Sequence, residues 1–500
     1  MKKYRNSTGV KYMSKLNETS KFYLTMGLSL LIMIFVGKLP PFGQMTVYGM
    51  QLLGVFLGCI FGWLLGVVVP VAIMGIAMAG LLVTGQTVDS MMIALFSTQM
   101  VVMIFFALIF VYGLDKCGIL NFLAAKIMSI KWCVKSPWHL AVSLWVCAMV
   151  CAALSSQPFA TMLLMFSMYY SLAAKVGAQK RSPYSVLVLV FIAAVSAIGV
   201  ALVPYSSMIL FATSIMATAV QGMTFNIPLI CGVNFLVTAA FIVIGAIFLK
   251  VLMVTNILKV EFDMSNADEL VSEKAVFDTK VKWGFFYIIL LVALMLVPTF
   301  LPAGSALKVF LGKIGTVGMF VIVVLLMCCT TVDGKRLIDF EQGMREGAVN
   351  WQVFFMMGTA LVVSGQLVTD QAGLALTIRG ALNGFVGDMS AYLLAVIFIV
   401  FGLILTNCIT NAVAMQLIIP LLSLFMIDKG INPAYLVGIA AIVLDHGLVL
   451  PSGSPLGAFL HGNTEWMESK QVYLFTICSS TCLALAIALV GAPLGLFFGA

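Results

Sequence analysis

Long apolar stretches separated by short polar ones run through almost the whole chain, at 22–37, 47–69, 71–85, 92–114, 226–252, 284–303, 308–330, 352–376 and 472–498. An α-helix of about 20 apolar residues crosses the hydrocarbon core of a bilayer, so these runs predict transmembrane helices. Four longer regions do not behave as simple spans. Region 138–171 follows Lys116, Lys126, Lys131 and Lys135 and precedes Lys175, Lys180 and Arg181, which puts both of its ends on the cytoplasmic side by the positive-inside rule. Its polar centre, Ser155-Ser156-Gln157-Pro158, divides it into two arms of about 15 residues, each shorter than a span. Those features predict a re-entrant hairpin. Region 391–426 has the same shape around Thr410-Asn411-Ala412, but with only Arg379 and Lys429 beside it, so its open end is expected outside. Regions 184–220 and 433–463 each follow a hairpin and are interrupted by Val203-Pro204-Tyr205-Ser206-Ser207 and by Gly453-Ser454-Pro455-Leu456-Gly457. Proline and glycine there unwind a helix and free backbone groups, which membrane proteins tolerate only where those groups line a cavity or bind something.

The hairpin and broken helix thus occur twice, with opposite predicted orientation. Spacing supports a duplication: Gly118 precedes Ser156 by 38 residues and Gly373 precedes Thr410 by 37. The expected fold is all-α and polytopic, with about 11 spans in two inverted repeats, the arrangement of secondary transporters. The segments are a basic N-terminal stretch (1–21), an N-terminal repeat (22–252), a charged cytoplasmic linker (253–283) and a C-terminal repeat (284–500). Lys2, Lys3, Arg5, Lys11, Lys15 and Lys21 place the N-terminus in the cytoplasm, and counting crossings from there puts the C-terminus outside. The apolar run after the basic start has no small-x-small cleavage site, so it reads as a retained first span in the cytoplasmic membrane.

Composition narrows the class. Hydrophobic residues make up 62% of the 500 and charged residues 9%, too few to cover a water-facing surface, so lipid is the solvent for most of the chain. The net charge of +8 lies in short loops between apolar runs and marks topology, not nucleic-acid binding. Eight of the 11 cysteines, among them Cys59, Cys147, Cys328 and Cys408, lie in apolar stretches, and no paired C-x-x-C motif offers a zinc site. Three histidines (His139, His446, His461), with no His-Glu-x-x-His pair, give no support to a membrane enzyme. Two opposed hairpins suit alternating access better than a channel's continuous pore. There is no phosphate-cradling Gly-x-x-x-x-Gly-Lys-Ser/Thr loop, so energy should come from an ion gradient and no cofactor is expected.

Three stretches of the second half carry a family resemblance: Trp351-Gln-Val-Phe-Phe-Met-Met-Gly through Ala372-Gly373-Leu374, Thr410-Asn411-Ala412 through Pro420, and Leu450-Pro451-Ser452-Gly453-Ser454-Pro455. In these the chain resembles the divalent-anion/sodium symporters, which carry dicarboxylates, citrate or sulfate. The resemblance implies that side chains and carbonyls at the hairpin tips hold sodium while tip polar groups bind the anion. It also implies a homodimer through scaffold helices, here parts of 47–114 and 284–330. On this chain the implied substrate ligands are Ser156, Gln157, Thr410, Asn411, Ser454, Pro455 and Ser206. The candidate ion-coupling positions are Ser155, Gly199, Thr406, Asn411, Gly453 and, from its own place in an apolar region, Asp445. The chain departs from the pattern where Pro158 and Ala412 replace tip threonines and where the first break lacks its glycine and second proline. A less polar pocket follows.

Hydroxyls, amides and half-helix N-termini are economical ligands for an oxyanion at mid-membrane, and this chain supplies them. Each candidate also has a plainer reading: turn formation for Thr410 and Asn411, and close helix packing for Gly199, Gly453 and the serines. Asp445-His446 is an ionisable pair inside an apolar region. A sodium ligand, a proton-coupling pair and a mutually satisfied polar pair are all open roles for it. The expected function is sodium-coupled transport of a di- or tricarboxylate or of sulfate. The alternative is a proton-coupled or exchanging carrier of a monocarboxylate or other organic anion.

Overall fold

The computed structural model describes the chain except residues 1–17, 66–69, 83, 98, 129, 131, 133–134, 156–157, 221–222, 224, 259, 261–276, 303–304, 350, 368, 370, 375, 378–379, 381–388, 409–410 and 452. Its helices, in chain order, begin with α1 (Glu18–Gly37), α2 (Val47–Leu65), α3 (Pro70–Leu82), α4 (Val88–Ser97), α5 (Gln99–Lys116) and α6 (Ile119–Met128). A helix pair follows, α7 (Pro137–Ser155) and α8 (Pro158–Val176), and then a broken helix of α9 (Pro183–Ile198), a 3-10 turn (Gly199–Leu202) and α10 (Ser207–Ala219). Next come α11 (Ile227–Val254), α12 (Thr279–Phe300), α13 (Ala306–Cys329), a hairpin of β1 (Thr331–Val332) and β2 (Lys335–Arg336), α14 (Phe340–Arg345) and α15 (Trp351–Leu367). The same order then recurs, with a pair α16 (Ala391–Cys408) and α17 (Asn411–Asp428) and a broken helix of α18 (Ala434–Leu444) and α19 (Pro455–Gly462). The chain closes with α20 (Ser469–Ala486), a π turn (Ile487–Gly491) and α21 (Ala492–Gly499).

The all-α membrane architecture is as expected, but several boundaries are corrected. The arms of the two pairs are 19 and 18 residues long, or about 28 Å at 1.5 Å per residue. They are not the short arms on which re-entrance was argued, because apolar residues next to a polar break remain helical up to the break. Run 92–114 divides between α4 and α5, and in run 352–376 α15 ends at Leu367 while Leu374 and Leu376 are helical again. Seven described helices are long and apolar enough to cross a bilayer, and a pair bent by 84° within 306–329 is either an eighth, broken span or a re-entrant loop. Gly315, at φ 65°, occupies that bend, a conformation open to glycine without steric cost.

The chain forms two compact units, Met1–Val101 with Asn350–Asp388, and Val102–Val349 with Met389–Ala500. In the first, α2 packs against α1, α3 and α15. Gly49 of α2 lies so near the Ala372 backbone that a Cβ would stand 1.9 Å from its carbonyl oxygen. Gly49→Ala should therefore lower the thermal unfolding midpoint in detergent, by an amount equivalent to about 1–3 kcal/mol of overpacking. Gly27→Ala, with open space at its Cβ, should leave the midpoint unchanged.

In the second unit every side chain of α9 from Tyr184 to Ile198 is buried, as are those of α18 from Leu436 to Leu444. A helix that is apolar all round belongs in the interior. Lipid supplies no hydrophobic drive between helices, so close contact of small residues holds them together. Gly438 of α18 shows this: a Cβ there would sit 2.2 Å from Ile230 Cγ2 of α11. Around α18 pack α10, α11, α16 and α17, and around α9 pack α7, α8 and α20. The 3-10 turn of the first broken helix also touches α18, so the two interrupted helices meet in the interior of this unit.

Candidate functional site

The second break is wider than the glycine and proline alone suggested. Helix α18 ends at Leu444, and helix resumes only at Pro455, so Asp445 and His446 lie in the break itself and not before it. Ser454 restarts the helix: its hydroxyl accepts the Gly457 N–H at 3.1 Å, a capping arrangement that satisfies one of the free donors of a first turn, and donates to the Gly447 carbonyl at 2.6 Å. Pro455 fills the first helical position, where a missing N–H costs nothing.

The end of α16 and the start of α17 close on this break. The Asn411 amide donates to the Asp445 carboxylate at 2.6 Å and stands 3.3 Å from the Asp445 carbonyl. The Thr406 hydroxyl lies 2.5 Å from the Leu444 carbonyl and 2.9 Å from Asn411 Oδ1; with one proton, it can fully satisfy only one of them at a time. Asn407 donates to the Leu403 carbonyl at 2.7 Å and accepts the Val449 N–H at 2.7 Å, tying α16 across to the break.

Two glycines make room for this approach. A Cβ on Gly447 would meet the Thr406 carbonyl at 2.8 Å, Asn411 Oδ1 at 2.9 Å and the Gly453 carbonyl at 3.2 Å. A Cβ on Gly453 would meet the carbonyls of Gly447, Asn407 and Thr406 at 3.0, 3.2 and 3.2 Å. Five oxygens thus face one pair of glycines. Some come from the last turn of α16, where helix carbonyls lack an intrahelical partner. Neutral oxygens converging in this way suit a hard cation. Asp445, 3% exposed, is the carboxylate beside them, and among the described residues no three His, Cys, Asp or Glu side chains form a cluster fit for a metal.

Ser156 and Gln157 lie outside the described residues, as does Thr410 in the second half; Ser155 ends α7. Gly199 opens the 3-10 turn, where a Cβ would stand 2.9 Å from Ala152 Cβ and 3.3 Å from the Met149 carbonyl. The close packing of the turn on α7 accounts for this glycine. Ser206 precedes α10 without capping it, and its buried hydroxyl and that of Tyr205 have no partner among the described residues. Thr406, Asn411, Asp445, Gly453, Ser454 and Pro455 are therefore brought together, while Ser206 and Gly199 stand at the other break.

Sequence reading missed Asn407, Gly447, Gln416 and Asn234. Asn234 of α11 donates to the Ala201 carbonyl at 2.9 Å and stabilises the first break from a third helix. Gln416 of α17 is 2% exposed, and neither its amide oxygen nor its nitrogen has a partner among the described residues. Burying such a group unsatisfied costs about 1–3 kcal/mol, a penalty that a bound polar ligand or water would relieve. Single amides in otherwise apolar spans were the available signal for Asn234 and Gln416. Nothing local marked Gly447.

Comparisons with known proteins bear on the family and the fold. The model of the CitMHS family, described as a citrate transporter, matches residues 56–441. A sodium-dependent dicarboxylate transporter, SdcS, of Staphylococcus saprophyticus is 25% identical over 150 residues, 30% of this chain and 28% of that protein. The match thus spans little more than a quarter of that relative's length. The crystal structure of the YdaH transporter of Alcanivorax borkumensis, reported to have an unusual topology, superposes with a TM-score of 0.55 at 16% identity, covering 97% of this chain and 100% of that one. That likeness concerns the fold.

Proposed function

The chain belongs to the CitMHS family of citrate transporters, and from that premise we propose that it imports a di- or tricarboxylate across the cytoplasmic membrane, driven by sodium and working by alternating access. The observation that carries the sodium assignment is the set of oxygens facing Gly447 and Gly453, contributed by Thr406, Asn407, Asn411 and the two glycines. Uncharged carbonyls beside a single carboxylate fit a monovalent cation better than a divalent one. The dicarboxylate named for the partial relative supports the substrate class. In this reading the anion binds beside the cation, on Asn411 and the N-terminus of α19 capped by Ser454, where free N–H groups and the helix dipole favour negative charge. Ser156, Gln157, Thr410 and Ser206 complete the anion site, and Ser155 and Gly199 belong to a second ion site. The two halves move as inverted repeats, the N-terminus is cytoplasmic, and the protein is a homodimer through its scaffold helices.

The test is uptake by purified protein in liposomes, offering sulfate and short mono-, di- and tricarboxylates under a sodium gradient or a proton gradient. Sodium-driven uptake of a di- or tricarboxylate is expected. Uptake driven by protons alone, or of a monocarboxylate alone, would overturn the proposal.

One observation favours proton coupling as the second reading. Asp445 Oδ2 and His446 Nδ1 are buried without partners among the described residues, and His446 Nε2 lies 3.0 Å from the Ser479 hydroxyl. Asp445→Asn preserves the shape and the oxygen that accepts from Asn411. Under sodium coupling it should raise the half-saturating sodium concentration and leave the pH profile of uptake in place. A profile that flattens in the variant would make Asp445 a proton carrier.

A further inference from the structure

The ends of α5, α12 and α13 converge with β1, β2 and α14 away from the broken helices. β1 and β2 are joined by Asp333 and Gly334, with φ of 53° and 74°, the conformation of the two-residue hairpin turn that favours Asp-Gly. The turn fixes Lys335 and Arg336 on the returning strand, which the Leu337 N–H anchors to the Thr330 carbonyl at 2.8 Å. With Tyr112 and Lys116 of α5, Lys280 of α12 and Asp339, they line a cavity of about 450 Å³.

Two acidic groups nearby, Glu346 and Asp339, are already engaged. Lys116 Nζ lies 2.6 Å from Glu346 Oε2, and the Tyr112 hydroxyl donates to the same carboxylate at 2.7 Å. Hydrogen bonds from Lys116, Tyr112 and Gln342, in that order of effect, hold the Glu346 carboxyl down to about 2. Asp339 caps α14 by accepting the Gln342 N–H at 2.9 Å. Lys280, Lys335 and Arg336 have no acidic partner among the described residues, so the cavity presents a net positive charge to any solute that enters.

We propose that this basic cavity is an accessory binding site for a phosphate-bearing anion, separate from the transport site. A guanidinium offers a planar fork of donors and two ammoniums offer point charges, the combination that recognises phosphate oxygens. The cavity has room for more than one phosphate group. Phe286 and Ile289 of α12 and Leu325 of α13 are exposed apolar surface on the helices that lead to it. The phosphodiester of an acidic phospholipid and soluble phosphate share the required chemistry, and basic clusters at the cytoplasmic ends of spans are suited to acidic headgroups. No lining residue belongs to the helices around Asn411.

The experiment titrates the full chain in detergent with dioctanoylphosphatidylglycerol, dioctanoylphosphatidylcholine or inorganic phosphate and reads the thermal unfolding midpoint. Phosphatidylglycerol should raise the midpoint while phosphatidylcholine does not. Lys335→Ala with Arg336→Ala should weaken the response about tenfold, the loss of a charge-assisted contact. Lys335→Arg should retain the response. If the double variant fails to fold, Lys280→Ala on the exposed first turn of α12 replaces it. A shift with inorganic phosphate that depends on these residues would keep the site and assign it to a soluble ligand. A response to neither probe, or one that the substitutions leave unchanged, would overturn the proposal.

Discussion

Asn411→Ala should abolish measurable uptake while leaving the protein expressed and folded. The substitution removes two things at once: the amide that donates to the buried Asp445 carboxylate at 2.6 Å, and the Oδ1 that faces Gly447. A hydrogen bond to a charged partner contributes about 1.5–3 kcal/mol, which as a barrier corresponds to a loss of roughly tenfold to a hundredfold in rate. Losing a cage oxygen adds to this. The fold should survive, because α16 and α17 are held by their apolar packing and by the link from Asn407 to Val449. Uptake in liposomes, normalised to protein recovered as a single peak on size exclusion, decides the matter. Wild-type uptake by Asn411→Ala would remove this residue from the site.

Gly447→Ala is expected to have the next largest effect, and it probes a different feature. One methyl group would enter the space bounded by the Thr406 carbonyl at 2.8 Å, Asn411 Oδ1 at 2.9 Å and the Gly453 carbonyl at 3.2 Å. Backbone oxygens cannot rotate away as a flexible side chain can, so the cage must widen, at about 1–3 kcal/mol of strain. If that space holds the coupling ion, the half-saturating sodium concentration should rise about tenfold, the equivalent of about 1.4 kcal/mol. Gly462→Ala, at the far end of α19 with nothing within 4 Å of its Cβ, is the control and should behave as wild type. An unchanged sodium dependence in Gly447→Ala would show that the oxygens order the backbone without binding a cation.

The two substitutions bear on different proposals. Failure of both would leave the family and fold intact and would move the transport site to the first hairpin pair, toward Gln157 and Ser206. A loss confined to Gly447→Ala would mean that the anion does not need Asn411.

Much of this was legible along the chain. Hydropathy alone placed the chain in a bilayer, because 9% charged residues cannot solvate a surface of this size. The helix breakers at Pro204 and at Gly453 to Pro455 located both interruptions, since a helix cannot supply the hydrogen bonds that proline removes. Thr406, Asn411 and Asp445 were visible as polar groups in apolar runs, which membranes retain only for a reason. Arm lengths were not legible, because apolar residues beside a polar break can equally continue a helix or leave it, and neighbouring helices decide.

What the sequence determined by itself, then, is the solvent, the helical class and the order of pair and broken helix in each half, all properties of local composition and backbone chemistry. The tertiary structure decided which polar groups share one place. Asn407 reaches Val449, Asn411 reaches Asp445, and Gly447 meets Thr406, contacts between residues more than thirty positions apart. The same is true of the basic cavity, whose residues come from α5, α12 and the β1–β2 hairpin. Such meetings depend on how closely whole helices approach, and that is set by the summed packing of small residues along their faces, which no single stretch of sequence specifies.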